Sequence, residues 1–512
     1  MLKAKMLAFS QSLELSKAHP YFYKGMVEPN YSTFAEQFDL TVEDNFDNPA
    51  ESISRVQPDI IMLDPGPAVQ RVPLPDANAL KTAAASRPII VYSTLDAHYH
   101  SHHAIAKYLD MLQPEAIFSH DFYHDYFPEK WRNKQIFVPN SYNHKLFRNL
   151  DIKKDIMCGF YGAVFFGSGS YPWRQRVAAK VVPEFPSCIL PRPTGLRDHG
   201  IIGEPFVKIM NRTQFIFGCT SLKNIPVKKL FEVPACGAML MTNESTVLQD
   251  LGFKDKVNCC FVDTNNVLQT IRFYLDNPEV YAEVVAAGQE LVETQHRSYH
   301  RQHILNWWHA YRAKKNACQI MQSNVIGEFI EIEMHQAQKP LIVTPKSSIT
   351  KALIKARKAW LSLDYQGAAD AYLAVVAVYP LMAEAVIGAV GSLLIQGQLL
   401  VAKQHLEKYF TMMKMRGEYV EYSVQLILYA VLLHLRLSEY DKARQLLSQH
   451  SLSALIEYVE QPEKLLDSIL ALPDLDDFDY SQTVIAPANR ESHFRMVLGL
   501  QVDFELPSQQ ML

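Results

Sequence analysis

The sequence predicts an α/β protein of two parallel-sheet units followed by an all-α unit. Three observations carry this. From residue 1 to about 310, short apolar runs alternate with longer amphipathic segments, the pattern of strands joined by crossover helices. The alternation breaks at the polar stretch SYNHKLFRNLDIKK (141–154), which suits a hinge, and then restarts. From residue 351 the composition turns helical and begins to repeat.

Taken in order, the N-terminal MLKAKMLAFSQSLELSKAHP lacks the apolar core of a signal peptide, and its short apolar run reads as a first strand. DIIMLD (59–64), PIIVYST (88–94), AIFSH (116–120) and QIFVPN (135–140) follow as strands of a first domain, 1–148. DIMCGFYG (155–162), SCILP (187–191), TQFIFG (213–218), AMLMTN (238–243) and NCCFVD (258–263) are the strands of a second, 149–315. In such sheets ligands bind beyond the carboxyl ends of the strands, so the cleft between the domains is the expected site. RAKKNACQ (312–319) and AQKPLIVTPKSS (337–348) read as a connector over 316–348.

The region 349–460 carries DYQGAADAYL around Ala368, QLLVAKQHL around Ala402 and EYDKARQLL around Ala443, spaced by 34 and then 41 residues. Tyr365, Ala368, Tyr372 and Pro380 stand where a tetratricopeptide repeat has its aromatics, its small contact residue and its terminating proline. The region resembles a degenerate tetratricopeptide array, which implies a protein-binding surface. The plain alternative is a helical bundle with accidental periodicity. The tail, 461–512, holds the acidic LPDLDDFDYSQ and no strong pattern.

Composition excludes several classes. The chain of 512 residues is 48% apolar and 20% charged, as an ordinary globular protein is. A net charge of -4 gives no reason to expect nucleic acid, and no window reaches the ~18 uninterrupted apolar residues of a membrane span. The seven cysteines lie between Cys158 and Cys318 with no CxxC pair. Cys236, Cys259 and Cys260 sit in apolar runs, as buried thiols of a reducing compartment do, which makes the cytoplasm the expected location.

The segment NIPVKKLFEVPACGAMLMTNE (224–244) concentrates the chemistry. Pro226 suits the first turn of a helix and Asn224 its N-cap. Lys228 and Lys229 then oppose the helix dipole, a conflict that a bound anion resolves. A diphosphate is the anion expected in an α/β cleft. Glu232, one turn on, is suited to accept two hydrogen bonds from vicinal sugar hydroxyls. Gly237 ends the helix, and the following strand emerges at Thr242, Asn243 and Glu244, at the ligand end of its sheet. The plain alternative is a solvated i,i+4 pair of Lys228 and Glu232.

KKLFEVPACGAMLMTN (228–243), followed by VLQDLGF, CCFVDTNNVLQTIRFYLDNPE and AAGQELVETQHRSYHRQHIL, resembles the C-terminal half of GT-B glycosyltransferases of the CgeB-like, or spore-protein glycosyltransferase-like, group. The resemblance covers about 155–308. It implies two Rossmann-like domains, with a nucleotide-sugar donor, most simply a UDP-sugar, held by the second. It also implies transfer, hexosyltransferase-like, to a glycan or protein acceptor, with no cofactor and no metal.

Residue by residue, Glu232 matches the glutamate that binds the donor ribose. Lys229 and Lys228 match the basic position near the diphosphate. GFYGAVFFGSGSYPWRQR (159–176) matches a glycine-bearing loop, in which Gly162 lets the backbone approach the donor, Arg174 or Arg176 reaches phosphate and Tyr161 stacks nearby. Asn243 lies at the same edge. The closing HRSYHR (296–301) places Tyr299 and Arg301 as structural residues, and the helix RQHILNWWHAY is expected to cross back to the first domain. One departure is Asn224, eight residues before Glu232, where retaining members often carry a second glutamate. With the appended helices, it motivates a rival reading, a catalytically inactive binding or assembly protein.

STLDAHYHSHH (93–103) follows a strand of the first domain. Asp96 and His98 are its candidate catalytic residues, one of them a general base for the acceptor hydroxyl. His100, His102 and His103 add density but no familiar metal motif. His120 and Asp121, after the next strand, are further candidates for the same cleft.

Overall fold

The computed structural model of the chain describes residues 3–10, 28–43, 46–64, 75–93, 108–120, 131, 133–162, 171–190, 201, 203–221, 224–335, 348–380, 382–416, 424–449, 452–470 and 490–500. Asp96, His98, His100, His102, His103 and Asp121 lie outside these residues, as does 163–170 of the glycine-bearing loop. The chain forms two compact units, Met1–Pro345 and Lys346–Leu512.

The first unit contains two parallel sheets. β1 (Lys5–Ser10), α1 (Glu28–Gln37), β2 (Asp39–Glu43), α2 (Pro49–Val56), β3 (Ile60–Asp64), α3 (Ala77–Ala84), β4 (Ile89–Ser93), β5 (Ala116–Ser119) and β6 (Gln135–Phe137) build a sheet of order β2-β1-β3-β4-β5-β6. β1 pairs in parallel with both β2 and β3, so the strand order reverses beside it. β2 has no apolar run to announce it. DLTVE is a partly exposed edge strand, where one buried face is not required.

The second sheet, of order β11-β10-β9-β7-β8, comes from β7 (Ile156–Tyr161), α4 (Pro172–Val181), β8 (Ser187–Leu190), α5 (Glu204–Arg212), β9 (Thr213–Phe217), α6 (Lys229–Ala235), β10 (Met239–Thr242), α7 (Thr246–Asp250) and β11 (Cys260–Phe261). α8 (Val267–Asp276) and α9 (Pro278–Gln295) follow. α10 (His303–Ala313) then leaves this sheet and packs on the first, where the Trp307 and Phe118 rings meet edge to face at 5.8 Å. This helix, inside the expected second domain of 149–315, thus packs into the core of the first sheet.

Both sheets are covered on both faces, which is why their strands read as continuous apolar runs. In the first, Leu7, Ile61 and Val91 face α2 and α3, while Met6, Ile60 and Ile90 face α1 and α10.

The expected connector 316–348 is not a plain linker. It contains an antiparallel hairpin, β12 (Cys318–Gln322) and β13 (Phe329–Glu333). The Gln322 side-chain amide accepts from the Phe137 N–H at 2.8 Å and donates to the Phe137 carbonyl at 2.9 Å. It thereby meets the edge strand of the first sheet as another strand would.

The second unit is helical: α11 (Ser348–Leu361), α12 (Tyr365–Val378), α13 (Ala383–Ile395), α14 (Leu399–Arg416), α15 (Val424–Arg436), α16 (Tyr440–Gln449), α17 (Pro462–Leu470) and α18 (Arg490–Leu498). Each of α11 to α15 packs on the next. Ala368, Ala402 and Ala443 occupy the same place in α12, α14 and α16 and are fully buried. The tail beyond 461, expected to be unpatterned, supplies α17 and α18. Among the described residues no helix is long and apolar enough to cross a membrane.

Candidate functional site

In the second sheet the chain leaves β7 for β8 on one side and returns to β9 on the other. The carboxyl ends of β7 and β9 are therefore its switch point, where α/β sheets open a crevice. Gly162, Cys219 and Thr220 stand there, with Asn243 one strand further on. Gly162 has φ 108, a conformation that favours glycine, and its N–H donates to the Leu190 carbonyl at 2.8 Å.

Arg174 enters this edge from the first turn of α4. It is only 2% exposed, its guanidinium lies 4.6 Å from the Tyr171 ring, and Nη2 is 3.7 Å from Cys219 Sγ. Its Nε has no hydrogen-bond partner among the described residues. Arg176, two residues on, lies about 200° further round the helix and is exposed. Of the two arginines named from the sequence, the structure brings only Arg174 to the site.

Lys228, Lys229 and Glu232 are each 5% exposed, which removes the solvated surface pair as an account of them. The charges of Arg174 and Lys229 both act on the Cys219 thiol, against the burial that raises its pKa, so the two cations flank the same point. The Glu232 side chain makes no hydrogen bond or ion pair with another described residue. A carboxylate so placed is an open acceptor for the donors of a bound molecule.

The helix that carries these residues begins later than expected. α6 starts at Lys229, with Lys228 at its N-cap and no side-chain cap bond. Asn224 is not the cap. It has φ 64, and its N–H donates to the Ser221 carbonyl at 2.9 Å, closing a turn in the loop that leads to Pro226. Asparagine tolerates that left-handed conformation, and proline disfavours a helical Ile225 before it. α6 is seven residues long, so the positive character of the site comes from side chains rather than from a helix dipole. Gly237 ends the helix at φ 64, and a Cβ there would fall 2.8 Å from the Asn149 amide nitrogen.

Asn243 accepts from the Thr220 N–H at 2.9 Å and donates to the Thr220 hydroxyl at 3.0 Å. It fixes the loop after β9. Tyr161 does not face the site at all. Its ring lies back over Gly159, and its hydroxyl hydrogen-bonds Thr213 Oγ1 at the opposite end of β9. It is fully buried against Phe206, and burial raises its pKa. The expected stacking role is thus replaced by a core role, and the glycine before it makes room for the ring.

The first sheet brings a second polar cluster to its own carboxyl edge. Asp64, 1% exposed at the end of β3, accepts from Ser10 at 3.1 Å and from Tyr31 at 2.9 Å. Tyr92 lies 3.3 Å from His120 Nε2, while His120 Nδ1 donates to the Val138 carbonyl at 2.7 Å, which assigns the tautomer. Burial, with Lys228 and Arg301 nearby, holds His120 neutral with a pKa of about 4. The Asn140 amide, just beyond β6, donates to the Pro226 carbonyl at 2.9 Å, which brings the first sheet's edge close to the lysine pair.

Arg301 sits where the chain crosses between the sheets. It donates to the carbonyls of Pro139 at 2.9 Å, Asn140 at 2.8 Å and Gln295 at 3.0 Å, so it ties both crossings together. Burial pulls its pKa down to about 9, which leaves it protonated at neutral pH. This is the structural role expected of it. Sequence reasoning missed Asp64, Tyr31 and Tyr92. The signal for Asp64 was present, because a polar residue closing the run DIIMLD stands at a carboxyl edge just as Asn243 does.

No curated protein matches the chain. Solved structures similar to parts of it include the following three. A structure of Anabaena HepE in complex with UDP and glucose shares 11% identity over 60% of this chain and 100% of that one, with a TM-score of 0.38. A glycosyltransferase from Rickettsia africae shares 10% over 61% and 99%, with a TM-score of 0.38. The sucrose-phosphate synthase of Thermosynechococcus elongatus shares 11% over 60% and 98%, with a TM-score of 0.40. Residues 155–306, well under half of the chain but the part that holds Arg174, Lys228, Lys229 and Glu232, match the family model described as glycosyl transferase-like.

Proposed function

We propose that the protein is a glycosyltransferase of GT-B layout that transfers a sugar, hexosyltransferase-like, from a nucleotide-sugar donor to a glycan or protein acceptor. The observation that carries this is Glu232. It is a buried carboxylate without a partner among the described residues, on the helix that also bears two buried lysines, inside the segment matched by the glycosyl transferase-like model.

In this reading Glu232 accepts hydrogen bonds from the two ribose hydroxyls of the donor. Lys228, Lys229 and Arg174 neutralise the diphosphate. Asn243 and Gly162 shape the loops that admit it, while Tyr161 and Arg176 take no part. In the reaction the acceptor oxygen bonds the anomeric carbon as the bond from that carbon to the phosphate oxygen breaks. The departing diphosphate takes the electron pair, and buried cations stabilise the charge it gains without needing a metal ion. A base on the first sheet removes the acceptor proton, with Asp96 or His98 proposed for it. We place the protein in the CgeB-like group, in the cytoplasm, with UDP as the nucleotide and the helical unit as a tetratricopeptide-like surface for a protein partner.

The reading predicts stabilisation by a nucleoside diphosphate and release of that diphosphate from its sugar. Thermal unfolding with UDP, GDP, ADP and their sugars, followed by assay of freed diphosphate, tests it. A protein whose melting temperature none of them raises is not a transferase of this kind.

A further inference from the structure

Next to the Asp64 network the first unit holds a second polar space. A cavity lies between α1, the carboxyl ends of β4 and β5, the two segments that cross between the sheets, and the start of α10. It is partly open and has room for a group of about one water's size. Asn30 of α1, Ser141 of the first crossing and Ser298 of the second line it, each less than a tenth exposed. None of these three side chains makes a hydrogen bond with another described residue. His303, at the start of α10, is also buried. Its Nε2 donates to the Val325 carbonyl at 3.2 Å, which leaves Nδ1 as an acceptor, and Nδ1 has no partner among the described residues. Burial, with Arg301 nearby, keeps the ring neutral, at a pKa of about 3. Gly327 seats against it, since a Cβ there would lie 2.8 Å from the ring.

These groups define the chemistry of a ligand. His303 Nδ1 calls for a hydrogen-bond donor, which a halide or a carboxylate does not supply. Arg301 lines the same space and is protonated at neutral pH, so an ammonium is repelled. A neutral hydroxyl meets both conditions. It donates one hydrogen bond and accepts others, here from Asn30, Ser141 and Ser298. The location adds to this. Pro139 and Ser141 of the lining flank Asn140, whose amide donates to the Pro226 carbonyl two residues before Lys228. The cavity therefore adjoins the segment that carries the lysine pair, on the sheet that serves the acceptor in the proposed reading.

We propose that this cavity is an anchoring subsite for the acceptor, taking one non-reacting hydroxyl of a neutral polyol or sugar, which donates to His303 Nδ1 and accepts from Asn30, Ser141 and Ser298. The acceptor is then a glycan. A serine or threonine side chain offers only the hydroxyl that reacts, whereas a sugar has others by which to be held. This rests on the reading of the protein as a transferase and narrows the acceptor that the reading leaves open.

The test uses the full chain saturated with UDP. Glycerol, myo-inositol and the methyl glycosides of glucose, galactose and N-acetylglucosamine serve as probes, followed by saturation-transfer NMR. At least one probe is expected to bind, and Ser298→Ala and Asn30→Leu are each expected to bind it about tenfold more weakly, as the loss of a buried hydrogen bond implies. Neither side chain holds another described residue by a hydrogen bond, so both variants are expected to bind UDP as the wild type does. The imidazole nitrogen resonances give a direct readout, because probe binding shifts His303 Nδ1 and leaves His493, in the other unit, unmoved. A chain that binds UDP but none of the probes, probe affinity that neither variant changes, or a His303 Nδ1 that does not respond, as when an ordered water alone fills the cavity, would each overturn the proposal. UDP binding is measured before any probe is added, and its absence would overturn the donor reading itself, so the two failures are told apart.

Discussion

Glu232 illustrates how a single residue can be legible in a sequence while its setting is not. Its place between a lysine pair and an ACG turn pointed to a ligand-binding carboxylate. That it is buried, with no partner among the described residues, needed the fold. Hydrogen bonds to a charged group are worth about 1.5–3 kcal/mol, so Glu232→Ala is expected to weaken UDP roughly 10- to 100-fold in calorimetric titration. Its melting temperature should stay level or rise, because a buried charge is removed.

The arginines separate on the same physical ground. Two residues of helix turn one side chain into the crevice and the other into solvent, and the sequence pattern WRQR does not say which. Arg174→Gln should lower affinity for UDP but not for uridine, since the proposed reading gives it the diphosphate to neutralise. Arg176→Gln should change neither. Equal losses from both would contradict the placement.

Among the elements, the strands were readable where they are buried on both faces, because burial writes an unbroken apolar run. β2 and the hairpin of β12 and β13 escaped because edge strands need only one covered face, and theirs carry glutamates. α6 starts four residues later than expected, with Lys228 rather than Asn224 at its N-cap. Pro226 fits a helix start as well as it fits the loop that it occupies, and only the left-handed Asn224 distinguishes the two. β7 shows an element whose glycine serves packing. A Cβ on Gly159 would lie 2.6 Å from the Tyr161 ring, so Gly159→Ala is expected to cost about 1–3 kcal/mol of stability by overpacking. Denaturant titration measures it, and a neutral result would contradict the account of Tyr161.

Across the whole molecule, the order of two parallel sheets and a helical array was visible in the chain. The crossing back of α10 was expected from analogy rather than from pattern. Local sequence carries element type better than it carries which element packs on which. The two units make different demands. A chain ending at Pro345 is expected to keep UDP binding, and loss of folding on that deletion would show that the helical unit supports the donor site.

Acid also has a directional effect. Burial holds His120 near pKa 4 and His296 and His303 near 3 in the first unit, and His493 near 3 in the second. The unfolded chain takes up these protons near pH 6.5, where the folded chain does not. Stability is therefore full above about pH 6.5 and falls as pH drops towards 4. The slope approaches about 1.4 kcal/mol per pH unit for each imidazole. Unfolding free energies measured between pH 7.5 and 5 should decline over that window. A flat profile would show that these imidazoles take up protons in the folded state.

The most direct test of the central claim is calorimetric titration of UDP, UMP and uridine into the wild-type protein and Glu232→Ala. If Arg174, Lys228, Lys229 and Glu232 form a donor site, UDP binds more tightly than UMP and UMP more tightly than uridine, and the variant loses affinity for all three. Equal affinity for the three ligands, or a variant that binds UDP as the wild type does, would contradict it.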